Sequence, residues 1–234
     1  MTMKRTTLIA GVLGLTATAA GCGIAGPASQ TRSSYEVPGE VTGVRVEVDS
    51  GTVELMGSDR RTVRVTERLS WRKNKPETRH EVRDGTLDLA YECPDTFGLG
   101  AVGVECEVSY RVEVPKGVRV EVGSDSGDLT LSGLSGEVRV RSDSGAIQAD
   151  GLAGGRVTAT SDSGDMTLEF TGQPDAVTTE TDSGHTVVRV PAGPYRVEAK
   201  TDSGDKRITA ANDASAPRSI KVSSDSGDVE VLTR

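Results

Sequence analysis

The chain has 234 residues, of which 35% are hydrophobic and only 3% aromatic, and its formal net charge is -8. A thin core of Val, Leu, Ile and Ala suits stacked β-strands better than a thick globular core. Because the chain is acidic and its basic residues alternate with acidic ones, the sequence offers neither a nucleic-acid stripe nor a polybasic membrane patch, which excludes nucleic acid as a partner.

Residues 1–21 have the features of a lipoprotein signal peptide, which predicts export. Two basic residues precede an apolar run over 8–20, which is too short to span a bilayer. The run ends in Ala-Ala-Gly-Cys at 19–22, which resembles a lipobox, where a diacylglycerol is attached to the cysteine thiol before cleavage. We expect Cys22 to be lipidated and to hold the chain on the extracytoplasmic face of the cell membrane. The alternative is a free thiol in a discarded leader.

Residues 22–40 are rich in Gly, Ala, Pro, Ser, Gln and Thr and have almost no apolar periodicity. This composition predicts a lipid-anchored, disordered tether. The remaining residues, 41–234, are expected to form a single β-strand-repeat domain.

The domain begins with a tight turn at Asp49-Ser50-Gly51, which has apolar residues at alternate positions on both sides. We interpret Asp49 and Gly51 as the turn of a first repeat. Between residues 57 and 116 the repeat lapses, and longer alternating runs predict a β-meander insertion that covers one end of the domain. Those runs occupy residues 62–70, 86–91 and 105–114.

The three cysteines can be divided between lipid and a disulfide. Cys93 and Cys106 lie in the insertion, and export places them in an oxidising compartment. We therefore predict that they pair with each other and leave Cys22 for the lipid.

The second half of the chain is an internal repeat of the tetrapeptide Ser/Thr-Asp-Ser-Gly, with copies 18 to 23 residues apart. Apolar residues stand mostly three and five positions before each Asp and six positions after it, which is the period of β-strands on both sides of a turn. Stacking successive units about 4.8 Å apart pairs their strands in parallel and buries a continuous apolar column, so we predict an all-β, single-domain parallel β-solenoid. The turn residues are Asp125 and Gly127, Asp143 and Gly145, Asp162 and Gly164, Asp182 and Gly184, Asp202 and Gly204, and Asp225 and Gly227.

We interpret these turns as structural. Asp can accept backbone hydrogen bonds from the next residues, and Gly supplies the positive φ of a sharp corner. The alternative is a Ca²⁺-binding, β-roll-like module, because stacked carboxylates form an oxygen-rich edge. That ladder would comprise Asp125, Asp128, Asp162, Asp165, Asp202, Asp205, Asp225 and Asp228.

The lipobox, the tether and the valine-rich strands punctuated by Ser-Asp-Ser-Gly-Asp at 124–128, 161–165 and 224–228 together resemble a known family. It is the bacterial β-strand-repeat domain of unknown function called the putative adhesin domain, and the resemblance covers about 40–234. The resemblance implies a β-solenoid fold and an envelope location, and it brings no catalytic residues.

The sequence also predicts that the protein is not an enzyme and has no cofactor. A formal G-x-G-x-x-G match at 98–103 lies outside any βαβ unit, and His80 and His185 belong to no recognisable triad. Repeated turn chemistry suits a structural or interaction module, adhesive or envelope-sensing, whose partner is an unidentified envelope protein or glycan.

A carbohydrate-binding or carbohydrate-active β-helix is a further alternative, and it requires aromatic side chains to cluster in a groove. The candidate side chains are Trp71, Tyr91, Phe97, Tyr110, Phe170 and Tyr195.

Overall fold

The computed structural model describes residues 28–94 and 105–234, and these residues form two β-sheets. No helix among them is long and apolar enough to span a membrane. The strands in chain order are β1 (Ser29–Val37), β2 (Gly43–Val48), β3 (Val53–Ser58), β4 (Val63–Trp71), β5 (Glu77–Arg83), β6 (Thr86–Glu92), β7 (Cys106–Pro115), β8 (Arg119–Ser124), β9 (Leu129–Ser132), β10 (Val138–Ser142), β11 (Ile147–Leu152), β12 (Arg156–Ser161), β13 (Met166–Phe170), β14 (Ala176–Ser183), β15 (Thr186–Val190), β16 (Arg196–Ser203), β17 (Lys206–Ile208), β18 (Ser219–Ser226) and β19 (Val229–Thr233).

Each repeat contributes one strand to each sheet, and we call such a pair of strands a rung. Sheet A has ten strands in the order β1-β4-β7-β3-β9-β11-β13-β15-β19-β17, and sheet B has nine in the order β16-β18-β14-β12-β10-β8-β2-β6-β5. Neighbouring repeat strands pair in parallel, as β8 does with β10 and β9 with β11. The predicted all-β, parallel solenoid fold is therefore confirmed.

The core lies between the sheets and follows from the alternation of apolar and polar residues. Val120, Val138 and Val157 are successive partners in sheet B, and Leu131 and Ala149 are partners in sheet A. All five side chains are buried. Because burial of one valine or leucine contributes about 1.5–3 kcal/mol, the stacked columns stabilise rungs that could not fold singly.

The rungs do not stack in the order of the sequence at the C-terminal end. The last strands of the chain, β18 and β19, lie between β14 and β16 in sheet B and between β15 and β17 in sheet A. The turn at Asp225 therefore stacks between those at Asp182 and Asp202. Our expectation that successive repeats are neighbours is wrong here, because every rung presents the same apolar face to the next.

The insertion between residues 57 and 116 is more regular than a meander. Strands β6 and β7 pair in parallel with β2 and β3 and so form a further rung. Strands β4 and β5 pair antiparallel with β7 and β6 and cover the N-terminal end of the solenoid. The prediction that the insertion covers one end is thus correct only for its antiparallel strands.

The prediction of a disordered tether over 22–40 is wrong for residues 29–37. This stretch forms β1, which pairs antiparallel with β4 along its whole length and makes the edge of sheet A. Val37 is buried and Tyr35 packs against the core, so two apolar side chains hold the strand in place. Cys22 lies outside the described residues.

Candidate functional site

The Asp-Ser-Gly turns form one continuous column along one edge of the solenoid. The Ser126 N–H donates to the Asp49 carbonyl at 2.9 Å, and the Ser144 N–H donates to the Asp125 carbonyl at 2.9 Å. The same bond links Ser163 to Asp143. The backbone hydrogen bonds between neighbouring rungs therefore continue from the strands through the turns. We call this edge of the solenoid the turn column.

At Asp125, Asp143 and Asp162 the serine before the Asp closes the turn, which differs from our expectation that the Asp does so. The Ser124 hydroxyl accepts the Gly127 N–H at 2.8 Å, and the Ser161 hydroxyl accepts the Gly164 N–H at 2.7 Å. Among the described residues, none of the first Asp carboxylates of the motif accepts a backbone N–H. The Ser or Thr that recurs before the Asp in the tetrapeptide could have indicated this hydroxyl, but we did not use it.

In three of the turns, an Asp directly after the Gly braces the neighbouring rung. Asp128 Oδ1 accepts the Ala146 N–H at 3.0 Å, and Asp165 Oδ1 accepts the His185 N–H at 2.8 Å. Asp228 Oδ1 accepts the N–H of Asp205 at 2.9 Å. The second carboxylate of Ser-Asp-Ser-Gly-Asp is therefore structural, because it satisfies a backbone donor in the adjacent turn.

The glycines are required by close stacking more than by backbone conformation. A Cβ on Gly127 would lie 1.7 Å from the Gly51 carbonyl oxygen, and one on Gly145 would lie 2.1 Å from the Gly127 oxygen. A positive φ occurs at Gly51, Gly184, Gly204 and Gly227 but not at Gly127, Gly145 or Gly164. Our expectation of a positive φ throughout is wrong for these last three, which instead admit the neighbouring backbone.

The first Asp of each motif is left to face solvent. Its carboxylate is available for outside contacts at every rung, except that the Arg141 guanidinium lies 3.2 Å from Asp143 and 3.8 Å from Asp162. In the part of the chain that the structure describes, no three His, Cys, Asp or Glu side chains are grouped to hold a metal ion. The exposed members are Asp49, Asp125, Asp162, Asp182, Asp202 and Asp225, with Asp143 half-buried.

The N-terminal end of the solenoid contains a buried carboxylate that the sequence analysis missed. Glu67 is 4% exposed and occupies an apolar position of the β4 alternation. Its oxygens accept hydrogen bonds from the hydroxyls of Tyr35 at 2.7 Å, Thr78 at 3.0 Å and Ser33 at 3.5 Å. Burial and then the Glu67 hydrogen bond raise the pKa of Tyr35. This network joins β1 and β4 of sheet A to β5 of sheet B.

Several aromatic side chains gather at this end, but their polar groups are used internally. The Tyr110 hydroxyl donates to the Ala90 carbonyl at 3.3 Å, and the Tyr91 hydroxyl donates to the Ser50 carbonyl at 3.2 Å. Tyr35 stacks on His80 with ring centroids 4.5 Å apart. The cluster therefore caps the core, and Phe170 and Tyr195 are buried elsewhere. Tyr91 also lines a cavity of about 520 Å³, whose described lining contains no second aromatic ring.

The remaining candidate residues are separated. Cys93 and Cys106 form the predicted disulfide, with an S–S distance of 2.06 Å. His80 lies on β5, whereas His185 precedes β15 and places Nε2 3.5 Å from Glu230. Phe97 and the G-x-G-x-x-G match at 98–103 lie outside the described residues.

Stacked parallel rungs with a glycine-lined turn column define a β-solenoid built from strand repeats. The sequence of residues 109–232, more than half of the chain, matches the family Toastrack DUF4097. The chain belongs to that family, and the resemblance to a strand-repeat domain of unknown function is confirmed. No curated protein matches the chain.

Several solved structures are similar to this chain at low sequence identity. A putative cell adhesion protein of Clostridium sporogenes shares 14% identity over 88% of this chain and 100% of its own, with a TM-score of 0.45. A putative adhesin of Bacteroides fragilis shares 13% identity over 88% of this chain and 97% of its own, with a TM-score of 0.48. A putative lipid binding protein of Parabacteroides distasonis shares 13% identity over 87% of this chain and 96% of its own, with a TM-score of 0.30.

Proposed function

We propose that this protein is a non-enzymatic lipoprotein of the bacterial envelope, anchored through Cys22, whose solenoid serves as an interaction module for an envelope protein or glycan. The observation that carries the proposal is the turn column. Its buried Ser and second Asp residues hold the backbone, while the first Asp of each repeat faces solvent. Equivalent carboxylates about 4.8 Å apart suit repeated weak contacts with an extended partner.

Two further features support an extracytoplasmic location. The leader ends in a lipobox-like sequence at Cys22, and the disulfide between Cys93 and Cys106 is typical of proteins in oxidising compartments. Both features agree with a chain that folds after export.

The anchor is tested by acylation of the full chain in a bacterial host supplied with a labelled fatty acid. We expect label on the wild-type protein and its recovery with membranes, and loss of both in Cys22→Ser. The matched control is the double variant Cys93→Ser/Cys106→Ser, which removes two thiols and should keep the label. Equal labelling of wild type and Cys22→Ser would overturn the anchor.

The interaction surface is tested by binding of the full chain to isolated envelope fractions. A triple variant of the turn column, Asp125→Asn/Asp182→Asn/Asp225→Asn, replaces three exposed carboxylates and should bind less than wild type. The control Asp84→Asn/Asp175→Asn/Glu198→Gln removes the same charge from exposed positions elsewhere. Equal losses in the two variants would show that net charge, and not the turn column, governs binding.

A further inference from the structure

Two arginines lie directly opposite each other on the outer face of sheet A. Arg32 on β1 and Arg68 on β4 are partners in the antiparallel pair, and both are exposed. Like charges in opposite positions destabilise a strand pair. Arg68 donates to the neutral Gln30 amide at 3.1 Å, whereas Arg64 on the same strand pairs with Glu36 at 3.0 Å. An anion bound between Arg32 and Arg68 would offset the repulsion between the two guanidinium groups.

A cavity of about 220 Å³ opens beside the arginine pair. Among the described residues that line it, the one carboxylate is Glu54, which forms an ion pair with Arg111 at 3.1 Å. Guanidinium groups present planar pairs of N–H donors that match phosphate oxygens. The cavity therefore has the polarity of an oxyanion site on an acidic protein. Its guanidinium and hydroxyl residues are Arg32, Arg68, Arg111, Thr52, Thr66 and Ser109. The Ser109 hydroxyl already donates to Glu107, and the Thr66 hydroxyl is bonded to that of Ser34.

Strand β4 continues from Arg68 to Trp71, whose half-buried ring lies on the opposite, inner face of the strand and packs against the core. The Lys75 ammonium lies 5.6 Å from the centre of the Trp71 ring, and Lys75 is exposed. Exposed lysines near a membrane surface can extend their ammonium groups to lipid headgroups. The sequence Trp-Arg-Lys-Asn-Lys at 71–75 contains three basic residues and no acidic one. The alternation of basic and acidic residues, from which we excluded a basic membrane patch, is therefore interrupted here. Arg72 of this sequence is paired with Glu105 at 2.9 Å.

The basic corner, which we define as Arg32, Arg68 and Lys75, lies on the strands and the loop next to the start of β1. Ser29 begins β1 and is the partner of Trp71. Seven residues further towards the N-terminus stands Cys22. Seven extended residues span at most about 25 Å, so an anchored Cys22 would keep the basic corner close to the bilayer surface.

We propose that the basic corner binds the phosphate groups of anionic phospholipids in the membrane that carries the anchor. This inference rests on the proposed anchoring through Cys22. The arginine pair and its cavity hold a headgroup phosphate, and Lys75, in the loop after β4, contacts the interface. The contact orients the N-terminal end of the solenoid towards the bilayer and leaves its outer faces and turn column to other partners.

The test uses the full chain carrying Cys22→Ser, so that no acyl chain contributes, with vesicles of phosphatidylcholine alone or mixed with phosphatidylglycerol. We expect binding only to the anionic vesicles and weaker binding as salt is added. Arg32→Gln/Arg68→Gln should lower the partition coefficient about 25-fold, at about fivefold for each charge removed near an anionic surface. The melting temperature of this variant should stay equal or rise, because opposed like charges are removed.

The matched control is Arg156→Gln/Arg196→Gln, which removes the same charge from exposed positions of sheet B. It should bind within about twofold of the parent protein, because charges beyond a Debye length from the surface contribute little. Equal losses in the two double variants, equal binding to both vesicle types, or binding of free glycerol phosphate without binding of vesicles would each overturn the inference.

The inference and the proposed function fail in different ways. If the wild-type protein is not acylated in cells but its vesicle binding depends on the two arginines, the anchor is overturned and the lipid site stands. Acylation of Cys22 together with vesicle binding that is indifferent to Arg32 and Arg68 would keep the anchor and overturn the lipid site.

Discussion

The side-chain amide of Asn212 takes the place of a neighbouring strand for Val197. Asn212 Oδ1 accepts the Val197 N–H at 3.0 Å, and Asn212 Nδ2 donates to the Val197 carbonyl at 3.3 Å. Val197 lies on β16, the outermost strand of sheet B. The Tyr195 N–H donates to the Ala211 carbonyl at 3.1 Å on the same edge. The segment 211–213 therefore covers the beginning of an edge strand, which limits pairing with other chains.

Replacement of Asn212 by alanine should both destabilise the protein and expose this edge. We expect a loss of about 1–2 kcal/mol in the free energy of unfolding, from two lost hydrogen bonds, and greater self-association. Urea unfolding measures the first effect, and light scattering at several concentrations measures the second. Asn74→Ala, in the exposed loop after β4, is the control. A stable, monomeric Asn212→Ala protein would contradict the covering role.

Gly127→Ala tests whether the turn column tolerates a methyl group. The added Cβ would meet the Gly51 carbonyl oxygen at 1.7 Å, so the rungs must separate. We expect a loss of about 3 kcal/mol or more in urea unfolding. Gly117→Ala is the matched control, since nothing lies within 4 Å of its added Cβ. Similar unfolding midpoints for the two variants would show that the column yields without cost.

The local structure could be predicted from the sequence because it depends on residues close along the chain. Alternating apolar residues specified the strands, and Asp-Ser-Gly marked the corners. The β6–β7 rung was missed because its corner lacks that motif, although Leu87, Leu89 and Val108 keep the apolar register. The rung order at the C-terminal end could not be predicted, because repeats with the same Val-x-Val face can stack in any order.

The roles of individual polar residues depended on contacts between distant segments. Which of the two Asp residues of the motif accepts a backbone hydrogen bond depends on the next rung, as the bond from the His185 N–H to Asp165 shows. That contact could not be predicted from the motif alone. The opposition of Arg32 and Arg68 depends on the register of β1, which the composition of residues 22–40 concealed. Glu67 did leave a signal, since a charged residue stands where the β4 alternation calls for an apolar one.

The two Asp residues of one turn should respond differently to substitution. Asp165→Ala removes the acceptor of the His185 N–H and should cost about 1–2 kcal/mol of unfolding free energy. Asp162→Ala removes an exposed side chain and should change stability by about 0.5 kcal/mol or less. Thermal and urea unfolding of both variants, with and without Ca²⁺, would measure these effects. Equal costs, or a Ca²⁺-dependent difference, would contradict the division of roles.

The disulfide should stabilise the β6–β7 rung, whose connection it closes. Cys93 and Cys106 are 13 residues apart, and closing a loop of this size contributes about 3 kcal/mol. Cys93→Ser/Cys106→Ser should lower the free energy of unfolding by that amount, as should a reducing agent on the wild type. Cys22→Ser is the control and should unfold as the wild type does. A reductant that lowers the stability of the double serine variant too would act on something other than the disulfide.

Glu47 should contribute less to the stability of the protein at neutral pH than in mild acid. Its carboxylate lies over Gly123, and burial, followed by repulsion from Glu121, raises the pKa of Glu47. Because the folded state then binds the proton more tightly than the unfolded state, the contribution of Glu47 to stability is greatest below the unfolded pKa and falls as pH rises through the folded one. Glu47→Gln should therefore raise the melting temperature at about pH 7 and leave it unchanged below about pH 4. Glu180→Gln, on the same outer face of sheet B, controls for net charge, and a gain of equal size there would assign the effect to charge alone.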